Sequence, residues 1–362
     1  MLHEPGARVT RRQWMASLPA LASLKGGPSA APPFERIDTH THIHRNAPAL
    51  FAALENGRWR CLSICVSRAI GEEPSDLEEM IRGTAEVHRL TKGRIAWATA
   101  FDARGFESSD FAGRVVAGLR QSFDQGAIAV KIWKNIGMGI RSKSGEYLLP
   151  DNAALTPVFE AIQKADKTLI AHLAEPDGAW LPLDKNNPEI GYYSHHPEWH
   201  MYGRRGVPAK EAILAARDRI LERHPKLRLV GCHLGSDEEH WDRLAKRLDK
   251  YPNFAVDVAA RVRYFVRGDH EQARQFLMKY QDRILYATDS TLPSGQDAGA
   301  AQELRETHDR DWKFFAGKDT LTYRDRQTQG LGLPDKVVHK IFRDNAARWL
   351  PGITGSTGIK NF

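Results

Sequence analysis

Histidines alternate with threonines in residues 34–44, which read FERIDTHTHIH. Successive side chains of a β-strand point to opposite faces, so a strand over residues 35–40, continued by two residues, places Asp38, His40 and His42 on one face. Neutral imidazole is a common ligand for metals such as Zn²⁺, and two imidazoles on a stiff strand supply half of a four-coordinate site. The segment therefore predicts half of a metal site, with the remaining ligands further along the chain.

Four more polar residues lie within short apolar runs. The runs AIAVKIW, TLIAHLA, LRLVGCHLG and RILYATDS contain, in that order, Lys131, His172, His233 and Asp289. A polar side chain inside such a run costs free energy unless it has a partner. A lone strand histidine is more often a core residue than a ligand, but six polar residues in corresponding positions favour one shared site.

The elements that must position these residues alternate regularly. Short β-branched or apolar runs are each followed by a longer segment with helical spacing of apolar residues. Eight runs are predicted as strands: 34–40, 60–67, 94–101, 127–133, 168–173, 227–234, 254–258 and 283–288. Eight alternating units in one chain favour an α/β fold of the closed (β/α)8 type, a TIM barrel, over an open sheet. The polar residues at the carboxyl ends of the strands then converge on one face.

Helix signals separate the predicted strands. Ser75 with Glu78 and Ser236 with Glu239 form capping boxes, and the helices that they begin end at Gly93 and before Pro252. Further helices are predicted near 47–56, 110–125, 152–165, 208–223, 270–280 and 334–350. Residues 134–151 and 174–207 are too long for simple turns, and long loops after barrel strands usually carry function.

Taken together, DTHTH, Lys131, the strand-end His172 and His233, and ATDS around Asp289 resemble the amidohydrolase superfamily. The closest resemblance is to the amidohydrolase-related family, which includes decarboxylases similar to aminocarboxymuconate semialdehyde decarboxylase, and it covers about residues 34–350. The resemblance implies a divalent metal, which we expect to be Zn²⁺, as one or two ions. It implies that His40, His42 and Asp289 bind one metal. His172 and His233 would bind a second metal or divide between ligand and substrate contact.

Lys131 has two alternative roles. If carbon dioxide carboxylates it, Lys131 becomes an anionic bridging ligand and the site holds two metals; otherwise its ammonium binds a carboxylate as a point charge. Asp289 is expected to take a proton from metal-bound water and return it to the leaving group. His233 is expected to hold the carbonyl oxygen.

Substrate contacts are predicted from the loops that follow the strands. Trp133 and Lys134 follow the fourth strand, and Asp257 and Arg261 follow the seventh. The planar fork of Arg261 matches a carboxylate, although it could instead neutralise Asp257. Residues 192–202 combine aromatics with three histidines, either as a pocket wall, to which we assign His196, or as a loop held by its own side chains.

The N-terminus has its own pattern. Residues 10–15 read TRRQWM, and an apolar run and the small residues 29–31 follow, which resembles a twin-arginine export signal. We therefore divide the chain into a signal over 1–31 and one barrel domain over 32–362, and expect a periplasmic or secreted protein; the alternative is a basic cytoplasmic tail. No other apolar run approaches the ~20 residues of a membrane span, so no membrane is expected in the mature form.

Composition narrows the partners. The net charge of +7 includes +3 from the first 31 residues, and the remaining charges interleave in sign, which disfavours nucleic-acid binding. Three cysteines, Cys61, Cys65 and Cys232, cannot form a disulfide framework and are expected in the core. The sequence leaves open whether the protein forms a homo-oligomer.

The predicted function is metal-dependent hydrolysis of an amide, a lactone or other ester, or a related C–N bond in a small-molecule substrate. The alternative is a decarboxylase of the same family. A barrel that only binds a ligand is disfavoured, because every expected metal-site position is filled by a suitable residue.

Overall fold

Parallel strands form one curved sheet at the centre of the computed structural model, which describes residues 34–293 and 295–355. The strands are β1 (Arg36–His42), β2 (Trp59–Ile64), β3 (Ile95–Ala100), β4 (Ala129–Ile132), β5 (Thr168–Ala171), β6 (Leu229–Gly231), β7 (Phe254–Asp257), β8 (Ile284–Leu285) and β9 (Ser290–Thr291). Each strand from β1 to β7 pairs with the next along the chain. Nearly every strand position is buried, as expected for strands covered on both faces.

The sheet closes through an eighth strand that is split in two. β8 pairs with β7, and β9 pairs with β1 through Thr41 and Ser290. Between these halves, Thr39 N donates to Tyr286 O at 3.0 Å and Asp289 N donates to His40 O at 2.8 Å. The fold is a TIM barrel, and the predicted fold class is confirmed.

Helices cover the outside of the barrel, and single helical turns lie in the segments that follow β4, β5 and β6. They are α1 (Pro48–Asn56), α2 (Leu77–Leu90), α3 (Phe111–Asp124), α4 (Asn135–Met138), α5 (Thr156–Lys164), α6 (Ile190–Tyr193), α7 (Lys210–Arg223), α8 (Cys232–Gly235), α9 (Trp241–Lys250), α10 (Val262–Arg267), α11 (His270–Lys279), α12 (Asp297–Ala316), α13 (Asp335–His339) and α14 (Asn345–Trp349). Short 3₁₀ turns lie at Ala153–Leu155, Asp177–Trp180 and Pro197–Trp199, and a π-helical turn at Lys340–Asp344 joins α13 to α14.

Two elements between β9 and α13 were not predicted. The first is α12, which is 20 residues long. Its buried face includes Ala300, Ala301, His308 and Asp311, so small and polar residues hide the helical spacing of apolar side chains. The second is an antiparallel hairpin of β10 (Thr320–Tyr323) and β11 (Arg326–Gln329).

One predicted helix start is wrong. Ser236 does not cap a helix, because its backbone adopts a left-handed conformation with φ +61° and its hydroxyl donates to Ala174 O at 3.1 Å. α9 begins at Trp241 instead. The other predicted start is close: α2 begins at Leu77, whose N–H donates to the hydroxyl of Ser75 at 3.3 Å.

The barrel interior is apolar within the sheet and polar at the carboxyl ends of the strands. Its apolar cluster includes Ile37, Leu62 and Val230, and Trp349 and Leu350 of the C-terminal segment pack against it. All three cysteines are buried and free. Among the described residues, no helix is both long and apolar enough to cross a bilayer. The predicted signal over 1–31 lies outside the described residues.

Candidate metal centre and substrate cavity

The end of β1 and the break in the eighth strand bring three predicted ligands together. Asp289 Oδ1 lies 3.4 Å from His40 Nε2 and 3.2 Å from His42 Nε2. One donor atom from each residue lies within 4.8 Å of the other two. Imidazole nitrogens and a carboxylate oxygen are the donors that Zn²⁺ and related ions use, so this group fits a divalent metal.

Hydrogen bonds to Nδ1 orient the histidine rings. His42 Nδ1 donates to Ile64 O at 2.8 Å, and His233 Nδ1 donates to Ala259 O at 2.9 Å. A carbonyl can only accept, so the Nδ1 of each neutral ring carries the hydrogen and Nε2 keeps a free lone pair. Such support is typical of metal-binding histidines.

Asp257 supports the first ligand in the same way. It is buried, and its Oδ2 lies 2.9 Å from His40 Nδ1, while its Oδ1 accepts from the backbone N–H of His233 at 2.8 Å. Burial opposes its ionisation, but the charge and hydrogen bond of His40 lower the pKa of Asp257 to about 2. The expectation that Asp257 meets substrate is therefore wrong; Asp257 positions His40.

Asp38 does not share the face of His40 as expected, because the register between β1 and β2 shifts after Asp38 and its side chain meets the outer helix α12. Its Oδ2 accepts from Thr288 Oγ1 at 2.7 Å and lies 3.0 Å from Nε2 of His308 on α12. Its Oδ1 accepts from Thr288 N at 3.1 Å. Asp38 thus ties β1 to the strand break before Asp289 and to the outer helix.

His172 and His233 face each other beside the three ligands. Their ring centroids are 4.3 Å apart, and His233 stacks on His40 at 5.2 Å. Burial keeps both rings neutral: it lowers the pKa of His233 to about 3 and holds the pKa of His172 well below its usual range. His172 Nε2 is buried without a hydrogen-bond partner. Two free imidazole lone pairs suit metal ligation.

This arrangement changes the role expected for His233. A neutral ring whose Nδ1–H donates to Ala259 O has only a lone pair at Nε2, so it cannot donate a hydrogen bond to a carbonyl oxygen. The geometry favours His233 as a ligand or a proton acceptor. The electrostatics of Asp289 agree with its role as an anion: burial opposes its charge, but His40 and His42 hold the pKa of Asp289 well below its usual range.

Left-handed backbone conformations concentrate where the strands end. Six non-glycine residues with positive φ follow four consecutive barrel strands: Ala174, His233, Leu234, Ser236, Ala260 and Asp289. Each such residue costs of order 1–3 kcal/mol and persists only where the surrounding structure holds it. The abrupt turns aim His233 and Asp289 at the site, and no residue pattern announces them, because glycine is the usual choice there.

Lys131 lies at the floor of the barrel beside a cysteine. Its Nζ donates to Cys232 Sγ at 2.9 Å, and both side chains are buried. Cys232 and His233 lie beyond the end of β6 at Gly231, so strand alternation does not fix the directions of their side chains. Cys232 Sγ also lies within 4.8 Å of donor atoms of His40 and Asp257. The bridging role of Lys131 stays a prediction.

A cavity of about 410 Å³ opens above this group. Trp133, Lys134 and Arg261, the predicted substrate contacts, line it together with Tyr192 and Tyr193 of the long loop. His196 does not line it: its side chain is 48 % exposed, and its ring packs on Tyr192 at 4.6 Å.

The cavity wall holds its own charges in pairs. Lys134 Nζ contacts Glu175 and donates to Tyr192 OH at 2.9 Å, and it lies 4.5 Å from the ring centre of Trp199. Burial lowers the pKa of Lys134, although Glu175 opposes this. Sequence analysis did not identify Glu175 as a cavity residue, although it lies only a few residues after the fifth strand.

Arg261 has a partner of its own. Its Nε donates to Glu238 Oε1 at 2.9 Å, and Glu238 is completely buried. The alternative in which Arg261 neutralises Asp257 is therefore wrong, since Asp257 is held by His40 and backbone amides. Arg261 reaches the cavity as a paired cation.

A closed (β/α)8 barrel with histidine and carboxylate donors at the carboxyl ends of its strands defines the class of metal-binding TIM barrels. The family model described as amidohydrolase matches residues 37–352, and the chain belongs to this family. No curated protein matches the sequence.

Solved structures with this fold include several enzymes. A 2,6-dihydroxybenzoate decarboxylase aligns with a TM-score of 0.50 and 14 % identity over 88 % of this chain and 99 % of its own. A manganese complex of 5-carboxyvanillate decarboxylase from Novosphingobium aromaticivorans has the same TM-score and identity, over 88 % and 96 %. A dihydroorotase from Campylobacter jejuni aligns at 0.45 and 12 % over 87 % and 82 %. At these identities the likeness shows the fold alone.

Proposed function

We propose that the protein is a metal-dependent hydrolase that cleaves an amide, a lactone or other ester, or a related C–N bond in a small molecule. The observation that carries this proposal is the contact of Asp289 Oδ1 with Nε2 of both His40 and His42 at the floor of the cavity. A carboxylate beside the metal-facing nitrogens is placed to handle a proton of the attacking water.

His40, His42 and Asp289 would hold the ion, which we propose is Zn²⁺, and His172 and His233 would complete this site or hold a second ion. A bound divalent metal lowers the pKa of water from ~15.7 towards ~7 and polarises a carbonyl oxygen. Asp289 accepts the proton of the attacking water and returns it to the leaving group. Asp257 keeps His40 Nε2 aimed at the site by holding Nδ1.

The cavity wall supports binding of a small, flat molecule. Trp133 and Tyr192 supply aromatic faces, and Lys134 and Arg261 supply hydrogen-bond donors. The walls therefore exclude water from one side of the substrate and orient it over the metal-facing nitrogens.

Decarboxylation is the second candidate, and the same lining favours it. Trp133 and Tyr192 beside the cationic Lys134 suit an aromatic acid, whose bond between ring carbon and carboxylate would break with release of carbon dioxide as a proton takes its place on the ring carbon.

A paired assay separates the two reactions. Metal-loaded protein is incubated with a panel of lactones and amides and with a panel of hydroxylated aromatic acids, and acid release and carbon dioxide release are measured in parallel. Hydrolysis of any lactone or amide without carbon dioxide release supports the proposal. Carbon dioxide release with no hydrolysis would move the protein to the lyase class.

Export through the twin-arginine route is a further part of this proposal, supported by Arg11 and Arg12 in the sequence. Replacing both with lysine should retain the protein in the cytoplasm, as measured by fractionation of the host cell. Unchanged export would remove this part and leave the catalytic proposal intact.

A further inference from the structure

A second cavity of about 260 Å³ adjoins the metal cavity. Four arginines line it and define what we call the arginine annex: Arg263 and Arg267 of α10, and Arg324 and Arg326 at the tip of the β10–β11 hairpin. Arg263 and Arg324 line both cavities. The two cavities are therefore neighbours that share part of their walls.

The annex carries uncompensated positive charge. Its lining contains four arginines and a single carboxylate, Asp325. Arg263 Nη2 pairs with Glu189 at 2.8 Å, but its Nε is buried without a hydrogen-bond partner. In residues 34–293 and 295–355, Arg267, Arg324 and Arg326 form no salt bridge.

This differs from the cations of the metal cavity. Lys134 is paired with Glu175, and Arg261 with Glu238, so their charges are already matched by buried carboxylates. Arg267, Arg324 and Arg326 are exposed and have no such partner among the described residues, so a bound anion would supply the charge-assisted hydrogen bonds that Lys134 and Arg261 already make. The planar fork of arginine also matches the two oxygens of a carboxylate or the oxygens of a phosphate.

The hairpin holds its part of the annex in place. Tyr323, beside the tip, is buried, and its hydroxyl donates to Asp311 Oδ1 of α12 at 2.8 Å. Thr328 on the returning strand lies 3.1 Å from Nε2 of His270. Arg324 itself has φ +57°, which a residue with a side chain adopts at a cost. The tip is therefore preorganised, which lowers the entropic cost of binding a ligand there.

We infer that the annex binds a second anionic group of the substrate, a carboxylate or a phosphate, while the reacting bond lies at the metal centre. The substrate then carries an acidic group distant from the bond that reacts, and the hairpin selects for it. The inference rests on the proposed function only in taking the metal cavity as the place where substrate binds.

The test uses linear dicarboxylates from succinate to sebacate, each compared with the monocarboxylate of the same chain length. Binding to the metal-loaded protein is measured by isothermal titration calorimetry. We expect one range of chain lengths in which the second carboxylate strengthens binding by about tenfold or more, as charge-assisted hydrogen bonds do. Replacing the distal carboxylate of the tightest ligand with a phosphonate then distinguishes a phosphate site, which binds it more tightly, from a carboxylate site.

Variants assign the effect to the annex. Arg326→Gln, at a residue that lines the annex and not the metal cavity, should reduce the advantage of the dicarboxylate to less than about twofold and leave monocarboxylate binding unchanged. Arg305→Gln is the matched control, because Arg305 is exposed on α12 outside both cavities. If the hairpin variant fails to fold, Arg267→Gln tests the same charge cluster from α10.

Two results would overturn the inference: dicarboxylates that bind no more tightly than monocarboxylates at every length, or equal losses for both ligand classes in the hairpin variant. These outcomes are distinct from failure of the proposed function. A protein that prefers dicarboxylates through the annex but catalyses no hydrolysis refutes the hydrolase and supports the annex. An active hydrolase whose binding does not depend on the distal carboxylate of the ligand supports the proposed function and refutes the annex.

Discussion

The floor and the rim of the cavity are built in opposite ways. At the floor, His40 is 1 % exposed, and its two ring nitrogens face Asp257 and Asp289. At the rim, Arg324 is exposed on a hairpin tip and has no salt-bridge partner among the described residues. Floor groups are held by strands and by each other, whereas rim groups are free to meet a ligand. Under the proposed function, the barrel strands would supply the chemistry and the segment between β9 and α13 would supply selectivity.

The largest effect should follow from a change at the floor. Asp289→Asn keeps an oxygen near His40 and His42 but removes the base, so we expect kcat to fall about 10²–10⁴-fold. Metal should stay partly bound, as measured by elemental analysis of the same sample. Full activity in this variant would end the assignment of Asp289 as the base.

Stability should also separate the buried ion pairs of the cavity wall from the rim. Lys134→Met leaves Glu175 buried without its partner, so we expect a loss of about 3–5 kcal/mol in the free energy of unfolding. Adding Glu175→Gln should restore much of it, because the unpaired charge disappears. Arg324→Gln should stay within about 0.5 kcal/mol. Denaturant titration measures all three, and equal losses for Lys134→Met and Arg324→Gln would erase the contrast.

The anchor of the hairpin predicts a pH dependence. Burial raises the pKa of Asp311 from 3.8 to about 6, although hydrogen bonds from Tyr323 and Tyr286 oppose the rise. The native state therefore binds more protons than the unfolded state between these values, and stability falls as pH rises through this window, by at most about 3 kcal/mol. Unfolding of the wild type and Asp311→Asn from pH 4 to 7 should diverge by this amount. Parallel curves would contradict it.

A smaller effect is expected one layer behind the ligands. Asp257→Asn weakens the support of His40 Nδ1, so metal affinity should fall about 10–100-fold in a chelator competition assay. Asp311→Asn serves as the control, because Asp311 is equally buried but contacts no metal-facing residue. Equal metal affinities for the two variants would remove the positioning role of Asp257.

The sequence predicted the floor because strands impose a period of two and barrels gather strand ends. His40 and His42 could be placed by these two rules, and Asp289 by its place at the end of the eighth strand, although the left-handed turn that aims its side chain was not foreseen. The support from Asp257 was missed because its hydrogen bonds join strands distant in sequence, and the tautomer of His233 depends on Ala259 O. Neither contact leaves a pattern in the chain.

The rim escaped prediction for a different reason. α12 buries His308 and Asp311 among small residues, so the helical spacing of its apolar residues is weak. Because this helix was not predicted, the hairpin that follows it was not predicted either. Arg324 occupies a left-handed position where glycine would have signalled a turn. The fold was therefore predictable where apolar periodicity was strong, and the selectivity elements were not.

Metal content tests the central claim most directly. Protein purified without chelator and analysed by plasma mass spectrometry should contain about one equivalent or more of Zn, Mn, Fe, Co or Ni, and His40→Ala/His42→Ala should lose it. A protein that holds substantially less than one equivalent, cannot be reconstituted, and matches the double variant would contradict the account of these residues as a metal centre.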